Sequence, residues 1–289
     1  CKKALTNTDG DMDAAVEYLR ENGLAKAAKK AGRIAAEGLV AVALSDDAKE
    51  AAIVEVNSET DFVAKNDTFQ AYVAEVADQA LTTQAADIEA FLAEESKAEA
   101  GKTVKEALDG KIAVIGENLN IRRFSKMAAE DGFVASYIHA GGKIGVLVHV
   151  ATDVVNDEIK EMGKNVAMQV AAIAPKYTSR DEVSKDYIDH ETEILKIQAK
   201  NENPDKPDNI IEKMIIGRLN KELKEVCLLD QAYVKAEDGK QAVGKYVEQV
   251  AKANGANVTI KEFVRFETGE GIEKKEENFA EEVAKQMGN

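Results

Sequence analysis

Long apolar runs are missing from this chain. Hydrophobic residues make up 45% of its 289 positions, yet no stretch approaches the ~20 consecutive apolar residues of a membrane helix. The first thirty residues are charged and alternate with alanine, so no signal peptide and no membrane are expected, and a cytoplasmic location is. Cysteine is nearly absent: Cys1 and Cys227 have no CxxC spacing and no histidine-rich company, so both are expected to be reduced and structurally unimportant. Histidine is as sparse, and His139, His149 and His190 have no second His or Cys close enough in sequence to suggest a metal site. A cationic stripe is lacking too. The net charge is −15 and Lys/Arg are scattered, a surface that repels phosphate backbones and argues against direct nucleic-acid binding.

Catalytic constellations are also missing. No Ser-His-Asp or Cys-His set and no nucleotide-binding glycine motif stands in a suitable context, so a non-enzymatic role is expected. Ala140-Gly141-Gly142-Lys143-Ile144 lacks the GxxxxGK[ST] spacing and has isoleucine where the metal-binding hydroxyl belongs; it reads as a tight hairpin turn. Glu94-Glu95 adjoin along a helix and do not face one another.

What is present is organised around Thr60-Asp61-Phe62-Val63-Ala64-Lys65-Asn66, directly after the strand-like run Ala52-Ile53-Val54-Glu55-Val56. Local side-chain bonding in Asn57-Ser58-Glu59-Thr60-Asp61 stops the strand, and Asp or Thr can cap a helix that has Phe62 in its first turn. Phe62 is then either a first-turn core anchor or a side chain projecting from the strand-to-helix corner.

The surrounding pattern is duplicated. Gly38-Leu39-Val40-Ala41 recurs as Gly132-Phe133-Val134-Ala135, and Val54-Glu55-Val56 followed by Thr60-Asp61-Phe62-Val63 recurs as Val146-Leu147-Val148 followed by Thr152-Asp153-Val154-Val155. Each copy reads as a hairpin, a Thr-Asp corner and an amphipathic helix, with Phe69, Tyr72, Val73 and Val76 in one and Ile159, Met162, Val166 and Val170 in the other. Phe62 faces Val154 in this comparison, which marks the aromatic as a specialisation of one lobe.

Three further segments complete the chain. Residues 1–33 read as helices: one ends at Asn7-Thr8-Asp9-Gly10, and the next is capped by Asp11 or Asp13, carries Met12, Ala15, Val16 and Leu19, and ends at Glu21-Asn22-Gly23. Ala25–Ala31 then continues as a basic, alanine-rich helix or linker, either a solvated connector or a contact with an acidic partner surface. Residues 77–130 read as helical up to a strand bearing Arg122-Arg123, which are expected to make intramolecular ion pairs. Asp181–Ala199 and Asn209–Val226 flank the breakers Pro204 and Pro207 as a helical hairpin, with Val183, Tyr187, Ile194, Leu195 and Ile197 facing Ile210, Ile211, Met214, Ile215 and Leu219. Because Lys2-Lys3-Ala4-Leu5 begins a helix without the tether of a lipoprotein, Cys1 is expected to belong to an N-terminally incomplete copy. An adaptor or dimerising scaffold built around the arm would explain the arm and the acidic surface, but not the single Phe62.

Thr60-Asp61-Phe62-Val63-Ala64-Lys65 with Phe69 downstream resembles the signature loop of the bacterial translation elongation factor Ts family, the nucleotide exchange factors of elongation factor Tu. Cys1-Lys2-Lys3-Ala4-Leu5, Ala27-Ala28-Lys29-Lys30-Ala31-Gly32, Ile115-Gly116-Glu117-Asn118, Ile121-Arg122-Arg123 and Arg265-Phe266-Glu267 are similar to family segments in the same order, so the resemblance covers essentially the whole chain. It implies an α+β fold: an incomplete, ubiquitin-associated-like module (1–33), core lobe N (34–131), core lobe C in two parts (132–180 and 227–265), an inserted antiparallel coiled-coil or dimerisation arm (181–226), and a C-terminal module (266–289) whose helix Phe279–Ala284 docks on the partner. It also implies that Phe62 disturbs the magnesium site of Tu·GDP, that Asp61 orients the loop or repels the phosphate–metal site, and that Thr60 and Val63 fix the backbone. Lys2, His139 and Val234 are the further partner contacts, with Lys235 departing from a methionine common in the family. No cofactor of its own is implied, since Mg2+ and GDP belong to the partner; a homodimer or 2:2 complex through the arm stays open.

Overall fold

The computed structural model describes residues 2–273, so Cys1 and the helix expected at Phe279–Ala284 lie outside the described residues. In chain order the elements are α1 (Lys2–Asn7), α2 (Met12–Lys30), β1 (Glu37–Leu44), β2 (Glu50–Ser58), α3 (Asp61–Ala64), α4 (Asp67–Thr82), α5 (Ile88–Ala93), α6 (Val104–Ile115), β3 (Leu119–Ala128), β4 (Phe133–His139), β5 (Ile144–Thr152), α7 (Asp157–Ile173), α8 (Lys185–Glu202), α9 (Asp208–Val226), α10 (Val243–Ala253) and β6 (Val258–Glu267). This is a mixed helix-and-sheet fold. The strand expected to bear Arg122-Arg123 is present: residues 119–128 form the third strand of the first sheet.

Two antiparallel three-stranded sheets, β1-β2-β3 and β4-β5-β6, pack face to face through Val40, Ile53, Met127, Val134, Leu147 and Phe266. Helix α4 covers the outer face of the first sheet and α7 that of the second. Both central strands are therefore buried on both faces, which is why Ala51–Val56 and Val146–Val150 lack clean polar alternation.

The halves are related by a pseudo-two-fold axis that the hydrogen bonds make explicit. The amide of Val40 donates to Gly142 O at 2.7 Å, and that of Val134 donates to Ala48 O at 2.7 Å, so each first strand is pinned by the other half's hairpin turn. The turn prediction at Gly141-Gly142 holds, with φ of 65° and 98°. Both central strands carry a register shift, at Glu55/Val56 and at His149/Val150.

These pairings correct the sequence register. Gly38 pairs with Asn57 and Phe133 with Val150, so Val54-Glu55-Val56 corresponds to Val148-His149-Val150, two residues beyond the match read from the sequence. Ser58 then corresponds to Thr152; the Ser58 hydroxyl donates to Thr60 O at 3.0 Å and the Thr152 hydroxyl to Val154 O at 2.9 Å. The repeated Thr-Asp pair had suggested a register that the backbone does not follow.

Gly38 and Gly132 occupy equivalent places, with φ of 129° and 79°. A Cβ on Gly132 would sit 2.0 Å from Val150 O, and one on Gly38 would sit 2.2 Å from Val56 O. Backbone atoms cannot step aside. Gly132→Ala is expected to lower stability by more than about 1 kcal/mol, read as a drop in the urea midpoint at unchanged slope.

A buried carboxylate closes the seam between the halves. Glu55 is fully buried; its Oε1 accepts from Arg122 Nη1 at 3.0 Å, Asn57 Nδ2 at 3.0 Å and the Gly269 amide at 2.8 Å, while Oε2 accepts from Arg123 Nε at 2.6 Å. Arg122-Arg123 thus make the intramolecular pairs expected of them. Arg123 also lies over the Phe266 ring, 4.2 Å from its centroid. Burial pushes the Glu55 carboxyl up, but the Gly269 amide, Asn57, Arg123 and Arg122 outweigh it and hold it below its ordinary value.

The N-terminal helices depart from expectation. Asp11 caps α2 by accepting from the Ala14 amide at 2.8 Å, but the helix runs through Gly23 to Lys30. Gly23 does not break it because it faces α6, where an added Cβ would be 3.6 Å from the Ala113 methyl. The second half of α2 is helix and docks on the first-lobe core through Ala27, while Ala25, Ala28 and Lys29 stay exposed. Of the apolar face at its start only Ala15 is buried, while Met12, Val16 and Leu19 stand exposed.

The arm is an antiparallel pair, α8 against α9, rooted where Tyr177 bridges Cys227. Its seam holds Ala199, Ile211 and Ile215 near the tip and Val183 and Leu223 near the base. Ile197, expected in the seam, points outward at 60% exposure, and Ala199 takes the inward place two residues on. Cys227, taken as unimportant, is fully buried at the root.

Candidate functional site

The corner between β2 and α4 is built by local chemistry. Thr60 has extended backbone and caps α3, its hydroxyl accepting from the Val63 amide at 3.3 Å. One turn later Asn66 caps α4 in the same way, accepting from Thr68 and Phe69 amides. Two successive caps therefore set a single helical turn between strand and helix.

That turn is amphipathic over three residues. Ala64 is buried and Val63 packs against the first-lobe core. Phe62, on the opposite side, is 81% exposed. The core-anchor alternative is thereby eliminated. An aromatic kept in water on an anchored turn forgoes about 1.5–3 kcal/mol of burial energy, so the fold gains nothing from it.

The second lobe has no counterpart of this turn. Ser58 to the cap Asn66 spans eight steps; Thr152 to the corresponding cap Asn156 spans four. The difference is the α3 turn itself. The comparison of Phe62 with Val154 is corrected accordingly, because Val154 corresponds to Thr60 and nothing corresponds to Phe62. One lobe alone carries a projecting aromatic.

Electrostatics at the corner are local. Asp61 accepts from Lys65 Nζ at 2.6 Å, which holds its carboxyl below its ordinary value, and Lys143 from the second lobe's hairpin turn adds to the effect. Lys143 in turn pairs with Glu37 at 2.5 Å. The turn after β4 thus reaches the first lobe's corner, and His139 sits exposed at its start, its Nδ1 3.0 Å from the Tyr137 hydroxyl.

A second loop clamps the corner from below. The Thr60 amide donates to Glu117 Oε2 at 3.0 Å and its hydroxyl to Glu117 Oε1 at 2.7 Å. In the opposite direction the Asn118 amide donates to Glu59 Oε1 at 2.5 Å. Sequence reasoning quoted Glu117 but gave it no role. The available signal was Gly116, an αL C-cap at φ 91° that turns the chain sharply after α6 and aims the next side chain back.

The remaining predicted residues lie on other elements. Lys2 is exposed at the start of α1. Val234, 47% exposed, follows the arm, and its amide donates to Gln169 Oε1 at 2.8 Å. Lys235 does not simply replace an apolar contact, since its Nζ donates to Asn165 Oδ1 at 2.6 Å. The structure therefore brings together Thr60, Asp61, Phe62 and Val63, places His139 on the adjoining hairpin, and leaves Lys2 and Val234 apart in the fold's other elements.

Among the described residues no cluster of His, Cys, Asp or Glu could hold a metal ion, and no helix is long and apolar enough to cross a membrane. Comparison with known proteins bears on the whole chain. A family model described as Elongation factor TS matches residues 59–270. The elongation factor Ts of Clostridioides difficile is 57% identical over 287 residues, covering 99% of this chain and 92% of the relative. Those of Clostridium botulinum and Clostridium perfringens are 54% and 51% identical over 288 residues, each covering 100% of this chain and 93% of the relative. With its projecting corner and its full-length likeness to these proteins, the chain belongs to the elongation factor Ts family.

Proposed function

We propose that this chain is a guanine nucleotide exchange factor that binds elongation factor Tu carrying GDP, disturbs its magnesium site and promotes GDP release during translation elongation. The observation that carries the reading is Phe62, almost fully exposed on a turn that two helix caps hold rigid and that only one lobe possesses. A rigid apolar side chain is suited to insertion into a partner because little conformational freedom is lost on binding.

The mechanism is linkage. A protein that binds the metal-depleted, open conformer of its partner more tightly than the GDP-bound one must weaken GDP binding by the same factor. Phe62 supplies the state-selective contact. Asp61, tied to Lys65, keeps a negative charge beside it, which acts against the phosphate–metal site, and Thr60 and Val63 fix the backbone. His139 on the adjoining hairpin, Lys2 and Val234 serve as further contacts. A homodimer or a 2:2 assembly through the arm fits the exposed Ile197 and Ile216 on its outer faces.

The test is release of a fluorescent GDP from elongation factor Tu in excess unlabelled nucleotide. The expected result is saturable acceleration of release, with GDP affinity of the factor-bound partner lowered by the order of 5–150-fold. Binding without acceleration would favour the scaffold reading and sink this one.

A further inference from the structure

We propose that Glu117 is a positioning residue for nucleotide exchange, holding the Phe62 turn in its working orientation. The assignment rests on the exchange reading above. Its carboxylate takes both donors of Thr60, the amide at 3.0 Å and the hydroxyl at 2.7 Å, and so fixes the residue from which α3 starts. Charge-assisted bonds of this kind are roughly twice as strong as neutral ones, and two from one residue fix direction as well as distance.

The latch is anchored behind Glu117. Lys30 Nζ donates to Gly116 O, Asn118 Nδ2 donates to Arg33 O at 2.8 Å, and Asn118 N returns to Glu59. Glu117 is thus held on a loop that α2 and α6 both grip.

The duplication supplies an internal control. In the second lobe Asp153 accepts from the Asn257 amide at 2.8 Å, the counterpart of Glu59 accepting from Asn118. That half of the latch ties the corner to the third strand in both lobes and belongs to the fold. The residue before Asn257, equivalent to Glu117, is Ala256. A lobe without a projecting turn folds with no carboxylate there; the lobe with α3 has one. Glu117 is therefore assigned to the turn and not to the architecture.

The experiment compares the full chain with Glu117→Ala and Glu117→Gln, each alone and combined with Phe62→Ala. Three quantities are read: the saturating rate of GDP release from elongation factor Tu, the factor concentration at half-saturation, and hydrogen exchange in the peptide spanning residues 58–66. Glu117→Ala is expected to lower the saturating rate about ten-fold, because displacements near an ångström can cost up to ~10²-fold. Half-saturation should stay put, and exchange in 58–66 should rise. Glu117→Gln, keeping one acceptor oxygen, should fall between. In the Phe62→Ala background the Glu117 change should cost almost nothing further, a result that general destabilisation would not give.

Equal saturating rates for parent and Glu117→Ala, additive losses with Phe62→Ala, or unchanged hydrogen exchange would each overturn the assignment while leaving the exchange reading in place. A parent that does not accelerate release overturns both. Should Glu117→Ala fail to fold, the isosteric Glu117→Gln carries the same comparisons.

Discussion

Phe62→Ala is expected to lower the saturating rate of GDP release by roughly ten- to a hundred-fold. The estimate follows from burial: moving a phenylalanine from water into a partner is worth about 1.5–3 kcal/mol, and each 1.4 kcal/mol is a decade. Since Phe62 begins 81% exposed, nearly all of that gain is still to be realised when the partner arrives. The variant should fold with unchanged stability, because the side chain touches little of its own protein. The concentration needed for half-saturation should hold, as encounter with the GDP-bound partner uses other surfaces. Affinity for the nucleotide-free partner should fall by the same factor as the rate, measured by titration in the absence of GDP. If rate and affinity for the empty partner both survive the substitution, Phe62 is not the state-selective contact.

The largest stability effect is expected at Glu55. Glu55→Ala should cost about 3 kcal/mol, the low end for removing one member of a buried ion pair, because Arg122 and Arg123 are 26% and 31% exposed and can recover some hydration. The orphaned Gly269 amide cannot, and Asn57 Nδ2 is left with its bond to Glu37 O alone. Glu55→Gln should cost less, retaining an acceptor for one of these donors. Because the folded carboxyl sits below its ordinary value of 4.5, its contribution is fully present above that pH and is lost as pH falls through the lower folded value. Urea midpoints of parent and Glu55→Ala should therefore stay well separated at pH 7 and converge as the solution is acidified below about 4.5. A separation that is constant with pH would show that packing, not charge, explains the loss.

Several of these features were legible in the sequence, and the failures have physical causes. The strands, the Gly141-Gly142 turn and the helical arm follow from period, punctuation and breaker residues. The corner followed from Thr60 and Asp61 as cap residues. The duplication was visible but its register was not: the second Thr-Asp pair, Thr152-Asp153, stands two residues earlier in its copy than Thr60-Asp61 in the first, so aligning the pairs hid the extra α3 turn. Helix α2 was cut short at Gly23 because a glycine reads the same whether it ends a helix or lets another helix approach closely. Met12, Val16 and Leu19 carry a core-like period without core burial. Glu55 and Glu117 could not be found by motif, since the Arg122, Arg123 and Gly269 partners of one and the Thr60 partner of the other lie more than fifty residues away, and both look like ordinary surface acids in a chain with 53 of them.

The root of the arm bears on the order in which the chain assembles. The second sheet joins β5 to β6 across more than a hundred residues. About half of that interval is the arm, whose two ends are drawn together where Tyr177 N donates to Val226 O and Leu228 N donates to Tyr177 O. A helical hairpin is made of local contacts and forms early. Once it has closed, the search of β6 for β5 runs over a loop of roughly half the length, which lowers the entropic cost of closure by about 0.6 kcal/mol. The first sheet, complete by Ala128, needs no such help and can be finished while the arm is still being synthesised. The arm is in this sense an internal clamp on the slowest pairing of the molecule, independent of anything it binds.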